Sequence, residues 1–413
     1  MDDWMLVSVA LALLVYAAVS ARLRSTVVTQ AMVFVAFGLL IGNRGLGVVD
    51  VETANRAVRI LAEATLTVVL FTDALAVDLA KLRRASDVPV RLLGIGLPLT
   101  IVAGTIAGLA LLPQLDVWTA AALAAMLAPT DAALGIPVVT DPRLPSRIRQ
   151  GLNVESGLND GVCVPLVIIF LTIAQAEEGV GDVEPLRVIA EEVGFGVLGG
   201  LVAGFLGAWV VRTFSARQWI STPWRQIAAV ATALLAYALA SAFGGSGFIA
   251  AFAAGIVFGI LAGDLAEDTT PFAEESGLLL NAATFLMFGA VLLSPALGEL
   301  GWRIGVYAVV SLTVVRMLPV ALAMIGTGMR RVTVAFVGWF GPRGLASIVF
   351  VLVIVEETDL AERSVLLAVM TATVALSVYA HGLSARPAAN RYADWHAAHA
   401  SDAGVARVGD APA

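Results

Sequence analysis

Apolar runs of roughly twenty residues, separated by short polar stretches, recur from one end of the chain to the other. A helix needs ~20 apolar residues to cross a bilayer. Read on that scale, the pattern predicts helices over 4–20, 26–42, 58–79, 92–112, 117–140, 151–175, 188–211, 226–242, 247–263, 277–297, 304–325, 333–355 and 364–384. These thirteen segments make residues 1–384 one all-α polytopic membrane domain. Residues 385–413, rich in alanine and interrupted by Pro387, read as a short mobile cytoplasmic tail. The first segment follows Met-Asp-Asp-Trp and lacks the basic start of a signal peptide.

Two segments contain a break. The fifth reads Met126-Leu127-Ala128-Pro129-Thr130-Asp131, and the twelfth Trp339-Phe340-Gly341-Pro342-Arg343-Gly344. Proline removes a backbone donor and clashes with the preceding turn. In lipid the freed groups persist only where protein or a water-filled cavity satisfies them. Seven segments separate Pro129 from Pro342. Segments 1–6 and 8–13 therefore run in opposite directions, with segment 7 as link and the breaks at corresponding positions. Two inverted six-helix repeats with broken, crossed helices at the binding site are a transporter architecture.

Composition narrows the class. Of 413 residues 59% are hydrophobic and 14% charged, and the net charge of −7 gives no basis for a nucleic-acid partner. One cysteine, Cys163, excludes a disulfide framework; three histidines near the C-terminus, His381, His396 and His399, make a multi-histidine metal centre inside the bundle unexpected. With the N-terminus outside, 17 of the 25 basic residues fall in inner loops, 6 outside and 2 within segments. Lys and Arg favour the cytoplasmic side of short loops, so the chain reads as a multi-pass plasma (inner) membrane protein with its C-terminus cytoplasmic. Tryptophans such as Trp4, Trp118, Trp219, Trp224 and Trp302 sit near segment ends and read as an interfacial belt.

Six charges remain at depth: Asp73, Asp131, Glu155, Asp160, Arg316 and Arg343. Each costs ~2.5–3.5 kcal/mol on insertion scales, which makes it a functional candidate. Four acids against two bases leave negative charge suited to a cation or protons, whereas structural ion pairs balance. The sixth segment reads Glu155-Ser156-Gly157-Leu158-Asn159-Asp160. Ser156 and Asp160 are i,i+4 neighbours and offer hard oxygens on one face; Glu155 and Asn159 share another, rotated by about 100°. The first pair is assigned to the ion, the second to orienting roles. Asp131 follows a break whose unwound backbone near Thr130 offers carbonyl oxygens, and doubles as a helix-end cap. Asp73 stands either at the ion or beside it. The two arginines are too basic to deprotonate and read as fixed partners, one of them for Glu155.

In this order on three segments, Ala128-Pro129-Thr130-Asp131, Glu155-Ser156-Gly157-Leu158-Asn159-Asp160 and Gly341-Pro342-Arg343-Gly344 resemble the monovalent cation:proton antiporters. The likeness is to the NhaP-like sodium/proton exchangers whose sixth helix carries Asn-Asp, and it spans roughly residues 4–384. It implies a homodimer with a dimerisation domain and a mobile core domain. It implies that Thr130, Asp131, Ser156 and Asp160 hold Na⁺, that Asp73 is the third-helix acid, and that Glu155 and Asn159 hold an arginine. The chain departs from the pattern at Ala132, where proline is frequent, and at Gly157, where a bulkier residue is usual; it also lacks a long regulatory tail.

The mechanism expected is antiport by alternating access rather than enzymatic turnover. Na⁺, with Li⁺ as a congener, competes with H⁺ for Asp131 and Asp160, which titrate as a coupled pair. Asn159 stands where a second aspartate adds a titratable group, so exchange reads as electroneutral, one for one. Transported Na⁺ and H⁺ are the substrates, and no cofactor is implied. Potassium/proton exchange fits the same oxygens. A remote alternative, an intramembrane serine protease, draws on Gly244-Gly245-Ser246-Gly247 and His381 but leaves the buried acids unexplained. A channel fits less well, because pores favour rings of like residues across subunits.

Overall fold

The computed structural model describes residues 3–408 except 24, 50, 76–86, 180–183, 299 and 358–359. Arg24, Lys81, Arg83 and Arg84, counted among the inner-loop basic residues, lie outside the described residues. Each predicted segment coincides with a helix or with two half-helices: α1 (Asp3–Leu23), α2 (Gln30–Ile41), α3 (Val51–Leu75), α4 (Val88–Leu111), α5 (Val117–Met126), α6 (Ser146–Glu177), α7 (Pro185–Ala216), α8 (Thr222–Ala242), α9 (Gly247–Ala262), α10 (Glu275–Ala296), α11 (Trp302–Ala323), α12 (Arg331–Trp339), α13 (Leu345–Glu357) and α14 (Arg363–Val408). Among the described residues there is no strand. Among the described residues eight helices are long and apolar enough to cross a membrane, and α2, α5 and α9 are shorter apolar helices.

Between lipid tails and leucine there is no hydrophobic driving force, so helices associate where small residues let backbones approach. α7 meets α9 in this way: a β-carbon at Gly200 stands 2.5 Å from the Ala250 carbonyl oxygen, and one at Gly204 stands 2.7 Å from that of Ala254. Buried alanines, among them Ala203, Ala233, Ala240 and Ala254, fill the space between α7, α8 and α9. Larger apolar side chains face outward on the same helices, for example Leu198, Phe205 and Trp209 on α7. That inside-out distribution is what a lipid surround requires.

Both predicted breaks are present. Residues 127–131 leave the helix after α5; a 3-10 turn (Ala132–Gly135) and a helical turn (Ile136–Val139) follow. Residues 340–344 separate α12 from α13. Other helices are also irregular: π segments lie in α4 (Leu92–Gly96) and α10 (Phe288–Leu293), and α11 is interrupted at Thr313 (φ −109°, ψ −86°).

The last helix differs from expectation. Residues 385–399 continue α14 through Pro387, and Ala385, Ala389, Tyr392 and Ala393 are buried. The Tyr392 ring stacks on Phe336 at 4.2 Å, and its hydroxyl lies 2.9 Å from that of Thr333. Spacing i, i+4, i+7, i+8 gives one helical face, and packing of that face on α12 outweighs the helix-breaking tendency of one proline.

Candidate ion-binding site

The two breaks meet, and their loose backbone groups determine the site's shape. Every group freed from a helix in lipid must find a partner. The Asp131 amide donates to the Pro342 carbonyl at 2.8 Å. The Leu345 amide, first in α13, donates to Asp131 Oδ2 at 3.0 Å, and the Ala133 amide donates to Oδ1 at 2.8 Å. Asp131 thus caps two helix starts at once, where a carboxylate also meets the positive end of the helix dipole. The Ser347 hydroxyl donates to the Met126 carbonyl at 2.8 Å, which satisfies the end of α5.

Thr130 is clamped from α6. Its amide donates to Asn159 Oδ1 at 3.3 Å, its hydroxyl accepts from Asn159 Nδ2 at 2.8 Å, and its carbonyl accepts from the Ser156 hydroxyl at 2.5 Å. Asn159, fully buried, is therefore bonded to Thr130 and not to an arginine. Glu155 holds its arginine alone: Arg316 Nη1 reaches Oε1 at 2.5 Å and Nη2 reaches Oε2 at 2.8 Å, with both side chains 2% exposed. This fork-to-carboxylate pairing is the strong bidentate kind.

Arg343 is fully buried within the second break. Its amide donates to the Ser377 hydroxyl at 2.6 Å and Nη1 donates to the Gly341 carbonyl, placing a cation at the C-terminal end of α12. Its Nε and Nη2 have no hydrogen-bond partner among the described residues.

Asp160 is the contrasting residue. It is buried, and Oδ1 has no hydrogen-bond partner among the described residues. The carboxylates of Asp73 and Asp131 lie close enough to act on its charge. Asp73 approaches α6 at Gly157, where a β-carbon stands 3.3 Å from Asp73 Cβ and 3.6 Å from Cγ. The small residue at 157 therefore makes room for the α3 acid. One turn on, Gly161 receives the ring of Phe252 from α9. A small cleft is lined by Thr130, Asp131, Ser156, Pro342, Val138, Leu152 and Phe340.

Thr130, Asp131, Ser156, Asp160 and Asp73 are thus gathered around the junction of α5, α6 and the two breaks. The donor set is hard oxygen throughout, the chemistry that suits an alkali cation or a proton. Pro129 and Pro342 lie within the breaks themselves. The protease alternative fails on geometry. The Ser246 hydroxyl caps α9 by accepting from the Ile249 amide, while His381 is engaged with Ser377 and Trp339. Ser377, Ser347 and His381 in its present role were not anticipated from the sequence. The available signal was a polar stripe, Ser377, His381 and Ser384, at helical spacing on an otherwise apolar segment.

Residues 9–391 match the family described as sodium/hydrogen exchanger, transmembrane. The chain is 27% identical over 327 residues to the K(+)/H(+) antiporter NhaP of Alkalimonas amylolytica, covering 78% of this chain and 55% of that protein. It is 27% identical over 285 residues to the Na(+)/H(+) antiporter of Schizosaccharomyces pombe, covering 62% of this chain and 58% of that one. The chain thus spans a little over half the length of these curated relatives. The sodium proton antiporter MjNhaP1 of Methanocaldococcus jannaschii has the same fold, with TM-score 0.75 at 19% identity over 94% of this chain and 99% of that one. With the match running through nearly all the described helices, the chain belongs to the sodium/hydrogen exchanger family.

Proposed function

We propose that this chain is a secondary antiporter that exchanges Na⁺ for H⁺ across the inner membrane. The observation that carries the reading is Asp160 Oδ1, a buried carboxylate oxygen with no partner among the described residues, beside two further acids. A buried charge without a partner is costly, and here a proton or an alkali cation supplies what the protein does not. Thr130, Ser156 and Asp131 contribute the other oxygens; Glu155, Arg316 and Asn159 hold them in place.

Proton and cation compete for the same carboxylates, so the site is filled by one or the other. Movement of an occupied site between faces couples the two flows, which is the condition for exchange. Val138, Leu152 and Phe340 line the cleft, and the stretches 143–147 and 330–331, with Arg143, Arg147, Arg330 and Arg331, adjoin the helices that carry them. By the positive-inside rule that is the cytoplasmic side, with the N-terminus outside. The carboxamide of Asn159, where a second carboxylate would carry another proton, supports one proton per cation and electroneutral exchange. The protein works as a homodimer, with the exposed apolar faces of α1 and α7 available to a partner copy or to lipid.

A second reading, K⁺/H⁺ exchange, is favoured by the name of the Alkalimonas relative, and the oxygen set accepts either ion. Everted vesicles decide between them. Addition of Na⁺ or Li⁺ is expected to dissipate an imposed pH gradient, and Asp160→Ala or Asp131→Ala to abolish the response. Dissipation by K⁺ alone would establish the second reading, and dissipation that survives both substitutions would remove the site assignment.

A further inference from the structure

His381 has no role in the exchange described above, yet it sits where the second break is held. It lies on α14 with Ser377 one turn before and Ser384 one turn after, and it is 1% exposed. Nε2 is 3.0 Å from the Trp339 carbonyl oxygen, and Nδ1 is 3.1 Å from the Ser377 hydroxyl. That hydroxyl accepts the Arg343 amide at 2.6 Å, while Ser384 accepts the Trp339 indole N–H at 2.9 Å. The Trp339 and His381 rings lie 4.9 Å apart.

A carbonyl only accepts, so the Trp339 carbonyl takes its proton from Nε2. Nδ1 lies 3.1 Å from both the hydroxyl and the main-chain carbonyl of Ser377, and that hydroxyl takes the Arg343 N–H. One imidazole thus ties residue 339, before the break, to residue 343 within it. Between these anchors stands Pro342, whose carbonyl holds the Asp131 amide; just beyond them the Leu345 amide holds the Asp131 carboxylate. α6 secures the first break in the same manner, through Ser156 and Asn159 on Thr130. α14 follows the second break in sequence as α6 follows the first.

We propose that His381, acting through Ser377, is a positioning residue of the transport site: it fixes the 340–344 crossover in the register that presents Asp131 to the cation. The proposal rests on the assignment of Asp131 and Asp160 as that site. It distinguishes His381 from a packing residue, because what matters is a donor toward Trp339 and a polar atom toward Ser377. A glutamine offers both, through Nε2 and Oε1; a leucine offers neither.

The test is cation-driven proton movement in everted vesicles, with cation concentration varied for wild type, His381→Leu, His381→Gln and Ser377→Ala, and folded protein measured by gel filtration. His381→Leu is expected to raise the apparent KM for Na⁺ about tenfold, the effect of one lost buried hydrogen bond, with maximal rate changed much less. His381→Gln should return KM to within about twofold of wild type. Ser377→Ala should raise KM in the same direction, and it decides the question if His381→Leu does not fold. A wild-type KM in Ser377→Ala and His381→Leu, or a glutamine variant as impaired as the leucine one, would overturn the proposal. Wild-type vesicles without cation-driven proton movement would instead overturn the transport reading beneath it.

Discussion

The main-chain amide of Asp131 and the carbonyl oxygen of Pro342 are joined by a 2.8 Å hydrogen bond between two segments that each lost their helix to a proline. That bond explains why the breaks come as a pair. Neither segment alone could leave its peptide groups bare in lipid, but each supplies what the other lacks. Because Asp131 also caps α13, the residue that holds the crossover together also presents charge to the cleft.

Asp131 therefore has separable roles. Asp131→Asn retains a side-chain oxygen able to cap the Leu345 amide, whereas Asp131→Ala does not. The alanine variant should lose about 1 kcal/mol more stability than the asparagine variant, seen as a lower melting temperature in detergent, while both lose cation exchange. Equal melting temperatures would show that the cap is immaterial.

For the Glu155–Arg316 pair, the cost of breakage should exceed the worth of the pair. Glu155→Gln leaves a buried guanidinium without its counter-charge and should destabilise by about 3–5 kcal/mol. Replacing both residues, as in Glu155→Leu with Arg316→Met, should recover much of that loss. Thermal melting of the single and double variants measures it.

Asn159 is expected to matter through Thr130. Asn159→Ala leaves the buried Thr130 amide and hydroxyl without partners, at about 1–3 kcal/mol, and should raise the KM for cation by roughly tenfold. Asn159→Asp adds a carboxylate; if the amide is what limits the site to one proton, reconstituted transport in this variant should generate current where wild type does not.

Much of this was legible in the sequence. Membrane segments announce themselves because twenty consecutive apolar residues have few other uses, and charges inside them stand out by cost. The breaks followed from Pro129 and Pro342, and Glu155 with an arginine from charge balance. Which arginine was not readable: Arg316 and Arg343 are both buried basic residues near prolines, and only the side-chain geometry, with Arg316 reaching across to Glu155, selects Arg316. The partner of Asn159 was not readable, because an amide matches a threonine as well as a guanidinium. The continuation of α14 past Pro387 depended on a tertiary contact, Tyr392 on Phe336.

At the end of α6 remote from the cleft, one oxygen from each of the Asp116, Glu178 and Glu362 carboxylates lies within 4.8 Å of the others. Partial burial and the neighbouring Glu178 carboxyl hold Glu362 above its ordinary value of 4.5. A carboxyl whose folded value is raised binds its proton more tightly in the native state, so its contribution favours folding at low pH and is lost as pH rises through that raised value. Glu362→Gln should therefore raise the melting temperature in alkaline buffer, with the gain vanishing as pH falls toward 4.5. An equal gain at both ends of that range would contradict the like-charge explanation.

The central claim is that Asp160 is where proton and cation compete. The most direct measurement is sodium-driven proton movement in proteoliposomes holding purified wild-type protein or Asp160→Asn, which keeps the shape and removes the charge. The account predicts exchange in the wild type, with an apparent Na⁺ affinity that weakens as pH falls, and none in the variant. Undiminished exchange by Asp160→Asn would contradict it.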